Sequence, residues 1–262
     1  MVDGSRVGPW AVIAGGSEGV GAAFARQLAG GGVSSVLIAR KEAPLAETAR
    51  AVRAAGVDAR TLACDLLAPD ALHRIRAATD DLDVGLLIVN AGANTYRSEF
   101  VEADLAGVER VIDLNVRVPL ALCRHFGARL KRRGRGGIIV LGSGSGYVGH
   151  ERISVYAAAK AFSRVFTEGL WLELRPHGVD VLHLVLGLTR TPAMERAGLR
   201  FDVPGLAAAD PEDMAREGLE HLADGPVWVA GDNFDAVRRD NAFPRGEVVL
   251  ANVDRLRRLL GG

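Results

Sequence analysis

Residues 10–21 read W-A-V-I-A-G-G-S-E-G-V-G, and residues 22–29 continue A-A-F-A-R-Q-L-A. The first five are an apolar run of strand length, and the segment after Gly21 carries its apolar residues at helical period. Strand, glycine turn and helix in that order form an anion site. The first backbone N–H groups of the helix point outward, and Gly15, Gly19 and Gly21 leave room for a diphosphate to approach. The spacing is G-x-x-x-G-x-G rather than the commoner G-x-G-x-x-G. A glycine cluster alone is usually a turn; its place between a strand and a helix favours a nucleotide.

Outward from this unit the alternation repeats. Apolar runs at 35–39, 59–63, 84–89, 137–141, 179–186 and 226–231 read as strands, and the stretches 44–55, 103–132, 156–175 and 211–223, with one after Pro69, read as helices. Near-continuous apolar strands belong to sheets covered on both faces. The expected fold is therefore α/β, a doubly wound, mostly parallel seven-stranded sheet with helices on both faces (Rossmann-type). No Pro/Gly/Ser-rich linker or internal repeat divides the chain, so one domain over 1–262 is expected, with 187–209 as a substrate lid and 232–262 as a C-terminal extension.

Lys+Arg and Asp+Glu both number 32, which leaves no net field to recruit nucleic acid or an anionic membrane surface. Cys64 and Cys123 lack C-x-x-C or metal-ligand spacing, so structural thiols in a reducing compartment and no metal are expected. No apolar run approaches the ~20 residues of a membrane span, and residues 1–10 carry no charged head followed by an apolar stretch. A cytoplasmic protein is expected.

The chemistry concentrates at 143–160, S-G-S-G-Y-V-G-H-E-R-I-S-V-Y-A-A-A-K. Tyr156 and Lys160 stand four residues apart, so on a helix they share a face. An ammonium beside a phenol favours the phenolate, which predicts a Tyr156 pKa below its free value of ~10 and makes it a candidate general acid/base. Alone, such a pair is more often exposed or packed for structural reasons. At the end of the second strand stand Ala39, Arg40 and Lys41, with no acid before Glu42; an Arg there suits a ribose 2′-phosphate, so NADP(H) is expected over NAD. Asp65 and Asn90-Ala91-Gly92 sit at strand carboxyl ends, which border the ligand crevice of such sheets. Asn115 is a polar residue on an otherwise apolar helical face.

Taken together, A-G-G-S-E-G-V-G (14–21), R-K after the second strand, C-D-L (64–66), N-A-G (90–92), N-V (115–116), Ser143, Y-A-A-A-K (156–160) and G-L-T-R-T-P (187–192) resemble the short-chain dehydrogenase/reductase family over residues 9–231. The W-A-V-I-A-G-G-S-E-G-V-G opening, the G-L-T-R-T-P turn and the W-V-A-G tail are more narrowly similar to the bacterial 7-beta-hydroxysteroid dehydrogenase group. The resemblance implies a ketone/secondary-alcohol oxidoreductase. In it Tyr156 is the acid/base, Lys160 lowers its pKa and holds the nicotinamide ribose, Ser143 (with Ser145 as runner-up) polarises the carbonyl, and Asn115 supports a relay water. It places Gly15, Ser17, Glu18, Gly19, Val20, Asp65, Leu66, Asn90, Ala91, Gly92, Leu188, Thr189 and Thr191 along the cofactor with Tyr156 and Lys160, and Arg40 and Lys41 at the 2′-phosphate. A homo-oligomer, dimer or tetramer, is also implied.

Two positions depart from the family pattern. Ala14 replaces a Thr whose hydroxyl ties the glycine loop to a neighbouring strand, and Leu186 replaces a Pro after the sixth strand. The apolar residues Leu188, Met194, Leu199, Phe201, Val203 and Leu206 suit a cover over a bulky substrate, and Arg190, Arg196 and Arg200 are candidates for a remote anion; packing and solvation account for both sets equally well. His150 and Tyr96 are expected at the same pocket. A catalytically silent NADP(H) sensor and a 3-oxoacyl reductase remain the alternatives. An intact Ser143, Tyr156 and Lys160 set weighs against the sensor, and the balanced charge gives no special support to a carrier-bound substrate.

Overall fold

Seven apolar runs assemble side by side in the computed structural model, which describes residues 7–94, 96–196, 198, 201 and 208–260. Trp10–Ala14 (β1), Ser34–Ala39 (β2), Ala59–Ala63 (β3), Val84–Val89 (β4), Gly136–Ser143 (β5), Val179–Leu186 (β6) and Val227–Val229 (β7) form one sheet in the order β3-β2-β1-β4-β5-β6-β7. Every pairing is parallel, where the sequence predicted a mostly parallel sheet. The chain winds outward from β1 to β3 and then returns to β4, so the winding reverses between β1 and β4. A crevice opens beyond the carboxyl ends of strands at such a point.

Helices cover both faces. Gly19–Gly30 (α1), Glu42–Ala54 (α2), Ala71–Ala77 (α3), Leu105–Ile112 (α4), Val118–Arg133 (α5), Ser154–Leu174 (α6), Pro192–Arg196 (α7), Pro211–Glu220 (α8), Phe234–Asp240 (α9) and Arg245–Leu260 (α10) follow in chain order. The strand alternation divides the core in two. Ala11 and Ile13 of β1 face Phe24 and Leu28 of α1 and Met214 of α8, whereas Val12 and Ala14 face Leu122, Phe126 and Leu130 of α5. Cys64 and Cys123 are buried thiols, and burial pushes Cys123 up to about 12, so it packs as a neutral residue. Among the described residues no helix is long and apolar enough to cross a membrane.

The sequence predicted one long helix over 103–132. The chain instead forms α4, a π-helical turn at Asp113–Arg117, and α5. Pro119 lacks the N–H that would donate to residue 115, and the Asn115 side chain donates to the Val111 carbonyl at 2.9 Å. The widened turn presents Asn115 inward, where it is buried.

After β7 the chain forms α9 and α10, which fasten onto the 144–151 loop of the same chain. Arg245 donates to the Tyr147 carbonyl at 2.9 Å, Asn252 reaches the Gly149 carbonyl at 3.5 Å, and Arg257 pairs with Glu151 at 3.1 Å. The segment leaving β6 is held despite Leu186, because Leu188 and Ala209 are bonded through their backbones at 2.8 Å and Thr189 Oγ1 donates to the Gly187 carbonyl at 3.2 Å.

Phe126 is fully buried beneath β4 and β5. Phe126→Ala should cost about 3–5 kcal/mol of unfolding free energy, read from denaturant melts; a loss under about 1 kcal/mol would show that this half of the core is not close-packed.

Candidate active site

The glycine loop is tied down by its backbone. Gly15 and Gly16 N–H groups donate to the Ile38 carbonyl at 2.8 and 3.1 Å, Ala91 N–H donates to Ala14 O at 2.6 Å, and Asn90 Nδ2 donates to Gly15 O at 2.7 Å. Thr48 Oγ1 donates to Ser17 O at 3.0 Å. These bonds do the work of the hydroxyl that Ala14 lacks. Gly15 has φ +90°, and a Cβ on Gly21 would lie 1.9 Å from Gly15 O, so neither position admits a side chain. Glu18 caps α1 without a side-chain bond to its N–H groups, which leaves those donors for an anion. Val20 is buried just inside the helix, and Thr191 closes the loop from the other side, 3.0 Å from where a Gly19 Cβ would stand.

Arg40 and Lys41 are exposed just past β2, and neither has an ion-pair partner among the described residues. Asp65 accepts from Leu67 N–H at 3.1 Å and so also shapes its own turn, while Leu66 packs against the core.

Ser143 ends β5, Tyr156 lies in the first turn of α6, and Lys160 follows one turn on. The Ser143 hydroxyl acts on the Tyr156 phenol, favouring its ionised form, and Ser143 Oγ accepts from Ser145 N–H at 3.2 Å. Ser143 is therefore the serine that meets the tyrosine. Lys160 is buried, donates to the Leu141 carbonyl at 3.0 Å, and sits 5.7 Å from the centre of the Tyr156 ring. Gly92 brings two further groups together: a Cβ there would be 2.9 Å from Asn115 Oδ1 and 3.1 Å from Lys160 Nζ. Asn115 Nδ2 donates to Ala93 O at 3.1 Å and Val111 O at 2.9 Å, leaving Oδ1 buried with no partner among the described residues. An unpartnered acceptor beside a buried ammonium, with backbone open at Gly92, fits a polar ligand or a relaying group.

One electrostatic expectation is corrected. Burial pushes the Tyr156 phenol above its ordinary value, and the Ser143 hydroxyl only partly opposes this; Lys160 does not bring it down. Desolvation disfavours phenolate and ammonium alike, and the ammonium is aimed at the Leu141 carbonyl rather than at the phenol. Burial lowers Lys160 itself to about 8.

Tyr96, Phe100, Val108, Val111 and Ile153 line a narrow crevice that ends at Tyr156. The Tyr96 hydroxyl accepts from Asp104 N–H at 2.8 Å. His150 is not part of this wall; Asp240 and Arg255 of the C-terminal helices are the charges that act on it. Arg190 pairs with Glu195 at 2.9 Å and lies 5.7 Å over the Phe201 ring, and Arg196 pairs with Glu18 across the crevice. Leu199, Arg200, Val203 and Leu206 lie outside the described residues. Sequence reading passed over Ser163 and His183, which lie behind Lys160; a lone His in V-D-V-L-H-L-V-L was the available signal.

The Lys160 shift sets a stability test. A folded-state value near 8, against 10.5, means that the folded chain carries a cost of about 3 kcal/mol at all pH values below 8. The cost fades as pH rises toward 10.5, where the unfolded chain also loses the proton. Lys160→Met should therefore be about 2 kcal/mol more stable than wild type at pH 7, after allowing ~1 kcal/mol for the lost bond to Leu141. The gap should narrow by pH 10, and denaturant melts at the two pH values read it. A Met variant less stable than wild type at pH 7 would contradict the buried-charge account.

The chain matches the model of the short chain dehydrogenase family over residues 9–199. It is 32% identical over 246 residues to the 7beta-hydroxysteroid dehydrogenase of Clostridium sardiniense, covering 93% of this chain and 94% of that one. A structure solved to explain 7beta-hydroxysteroid dehydrogenase stereoselectivity superposes with a TM-score of 0.87 at 29% identity, covering 96% of this chain and 99% of that one. A short-chain dehydrogenase from Sphingobium yanoikuyae in complex with NADPH superposes with a TM-score of 0.78 at 30% identity, covering 88% and 92%. With the sheet order, the tied glycine loop and the serine–tyrosine–lysine cluster all in place, the chain belongs to the short-chain dehydrogenase family, oxidoreductases acting on CH–OH groups.

Proposed function

We propose that this protein is an NADP(H)-dependent oxidoreductase that interconverts a ketone and a secondary alcohol on a bulky apolar substrate, with a hydroxysteroid as the favoured class. The observation that carries the reading is the gathering of Ser143 and Tyr156 beside buried Lys160, whose ammonium lies 5.7 Å from the centre of the Tyr156 ring. Arg40 and Lys41 at the end of β2, without an ion-pair partner among the described residues, and the NADPH complex of a similar chain support the 2′-phosphate form. The apolar crevice at Tyr156 and the likeness to 7beta-hydroxysteroid dehydrogenases support the substrate class.

In this reading Gly15, Ser17, Glu18, Gly19 and Val20 hold the diphosphate at the α1 N-terminus. Asp65, Leu66, Asn90, Ala91, Gly92, Leu188, Thr189 and Thr191 border the rest of the cofactor. A dinucleotide held there would supply the two electrons of the reduction as hydride. Ser143 and Tyr156 both donate to the substrate oxygen as negative charge gathers there, and Tyr156 gives it the proton. A phenol whose pKa is raised by burial holds that proton at neutral pH, which suits the reductive direction. Lys160 brings a positive charge to the proton's origin, and Asn115 Oδ1 offers an acceptor for its replacement. Phe162, Val165 and Leu172 leave an exposed apolar stripe on α6, which supports pairing of subunits through the long helices.

Tyr156→Phe should retain NADPH binding, followed by fluorescence, and lose about 10²- to 10⁴-fold in kcat; unchanged turnover removes Tyr156 from the chemistry. Arg40→Ala should raise the KM for NADPH by about tenfold or more and leave that for NADH nearly unchanged; equal changes for both cofactors would refute a 2′-phosphate contact. A panel of steroid ketones, small ketones and a 3-oxoacyl thioester separates the substrate readings. Binding of NADPH without turnover on any of them would favour the silent sensor.

A further inference from the structure

Between β5, β6 and α6 a polar cluster interrupts otherwise apolar core. His183 of β6 is fully buried, and its ring occupies the space that a side chain at Gly142 would need: a Cβ there would lie 2.3 Å from Cε1 and 2.6 Å from Nε2. Nε2 lies 3.0 Å from Ser163 Oγ, and that hydroxyl is 2.8 Å from the Lys160 carbonyl. The Nδ1 atom is buried with no partner among the described residues. Gly146 approaches the same turn of α6, since a Cβ there would lie 2.8 Å from the Lys160 carbonyl carbon. The imidazole is thus wedged between the strand that carries Leu141 to Ser143 and the helical turn that carries Lys160.

An aliphatic residue would fill this space without leaving a ring nitrogen unsatisfied, a defect that costs about 1–3 kcal/mol. What the histidine adds is direction. Ser163 has a single proton; when it goes to the Lys160 carbonyl, Nε2–H must donate to Ser163 Oγ, and the ring, the hydroxyl and the Lys160 backbone form one chain of bonds. We propose that His183, acting through Ser163, is a positioning residue that fixes the Lys160 turn of α6 against the end of β5, so that the ammonium meets the Leu141 carbonyl beside Tyr156. The catalytic consequence rests on the function proposed above; the placement of Lys160 does not.

The charged groups around the cluster are few. From α6, Lys160 and Arg164 face His183, and Arg164 is itself paired with Glu168 at 2.9 Å and lies over the Tyr147 ring at 5.2 Å. β5 contributes the backbone at Gly142, with Ser143 next along. Around Lys160 stand Tyr156, the Asn115 amide and the Leu141 carbonyl. Burial first, then Lys160 and Arg164, holds His183 down to about 3, so the ring is neutral across the working pH range. A pH effect from removing it therefore reports Lys160 and not its own titration.

The test uses His183→Leu, which keeps most of the volume, Ser163→Ala, which removes one hydroxyl, and His183→Gln, whose amide can still donate to Ser163. The Lys160 amine is titrated by NMR in isotopically lysine-labelled protein without substrate, its signal assigned from Lys160→Met. In His183→Leu and Ser163→Ala the Lys160 titration should move downward by about half a unit or more as the ammonium loses the Leu141 carbonyl. The kcat for ketone reduction should fall about tenfold or more, with the KM for NADPH within about twofold. His183→Gln should recover most of both losses. A Lys160 titration that is unchanged or raised in Ser163→Ala, with only the melting temperature lowered, would make His183 plain core filler and overturn the proposal. If His183→Leu fails to fold, Ser163→Ala decides. If no ketone is turned over by wild type, the catalytic reading fails while the Lys160 titration still judges this one.

Discussion

Lys160 is a buried cation with no carboxylate beside it among the described residues, and much of the surrounding architecture makes that tolerable. Lys160 reaches its acceptor, the Leu141 carbonyl, only because α6 lies close against β5. Gly142, Gly146 and Gly92 make the approach possible, since a Cβ on any of them would collide with His183, with the α6 backbone, or with Asn115 and Lys160. β5 and β6 pair over eight consecutive residues, Gly136↔Val179 to Ser143↔Leu186, which gives α6 a rigid base. An unpaired buried ammonium lowers stability, and such local losses collect where a protein has chemistry to perform.

Much of this was legible in the chain. All-parallel strands covered on both faces read as unbroken apolar runs, so β1, β3, β4 and β6 were located to the residue, and β2 and β5 to within two residues of each end. The glycine spacing gave the loop, and the i, i+4 interval put Tyr156 and Lys160 on one side of α6. What sequence could not supply was depth. The expected lowering of the Tyr156 pKa counted the charge of Lys160 and not the loss of water, and the loss of water is the larger effect. The π-turn at Asn115 was hidden because a helix and a helix with one widened turn share nearly the same periodicity. His183 was hidden because only its partners, Gly142 and Ser163 on other elements, give it meaning.

The arginines show how pairing sorts residues of one type. Arg190 and Arg196 stand in the segment after β6, where an anion-seeking role was open, yet each meets a carboxylate of its own chain, Glu195 and Glu18. Arg40 and Lys41 have no such partner among the described residues. Exposed ion pairs contribute little to stability, but pairing reduces the charge that remains to attract a ligand. Arg40 and Lys41 thus leave positive charge unanswered at the end of β2, the end where a ribose phosphate would be recognised. The Arg196–Glu18 pair has a different consequence: it joins the segment after β6 to the glycine loop across the crevice.

Proton affinity links these parts. Burial raises the phenol and lowers the ammonium to about 8, so it separates two groups whose free values, about 10 and 10.4, nearly coincide, and the proton stays the more firmly on Tyr156. Neither shift needs a dedicated counter-charge; both follow from excluding water at the closed end of β5. The geometry that excludes water also aims the ammonium, because the close approach that buries Lys160 is the approach that brings it to Leu141 O. Burial and orientation are then one structural fact, set by the absence of three Cβ atoms and the presence of one imidazole.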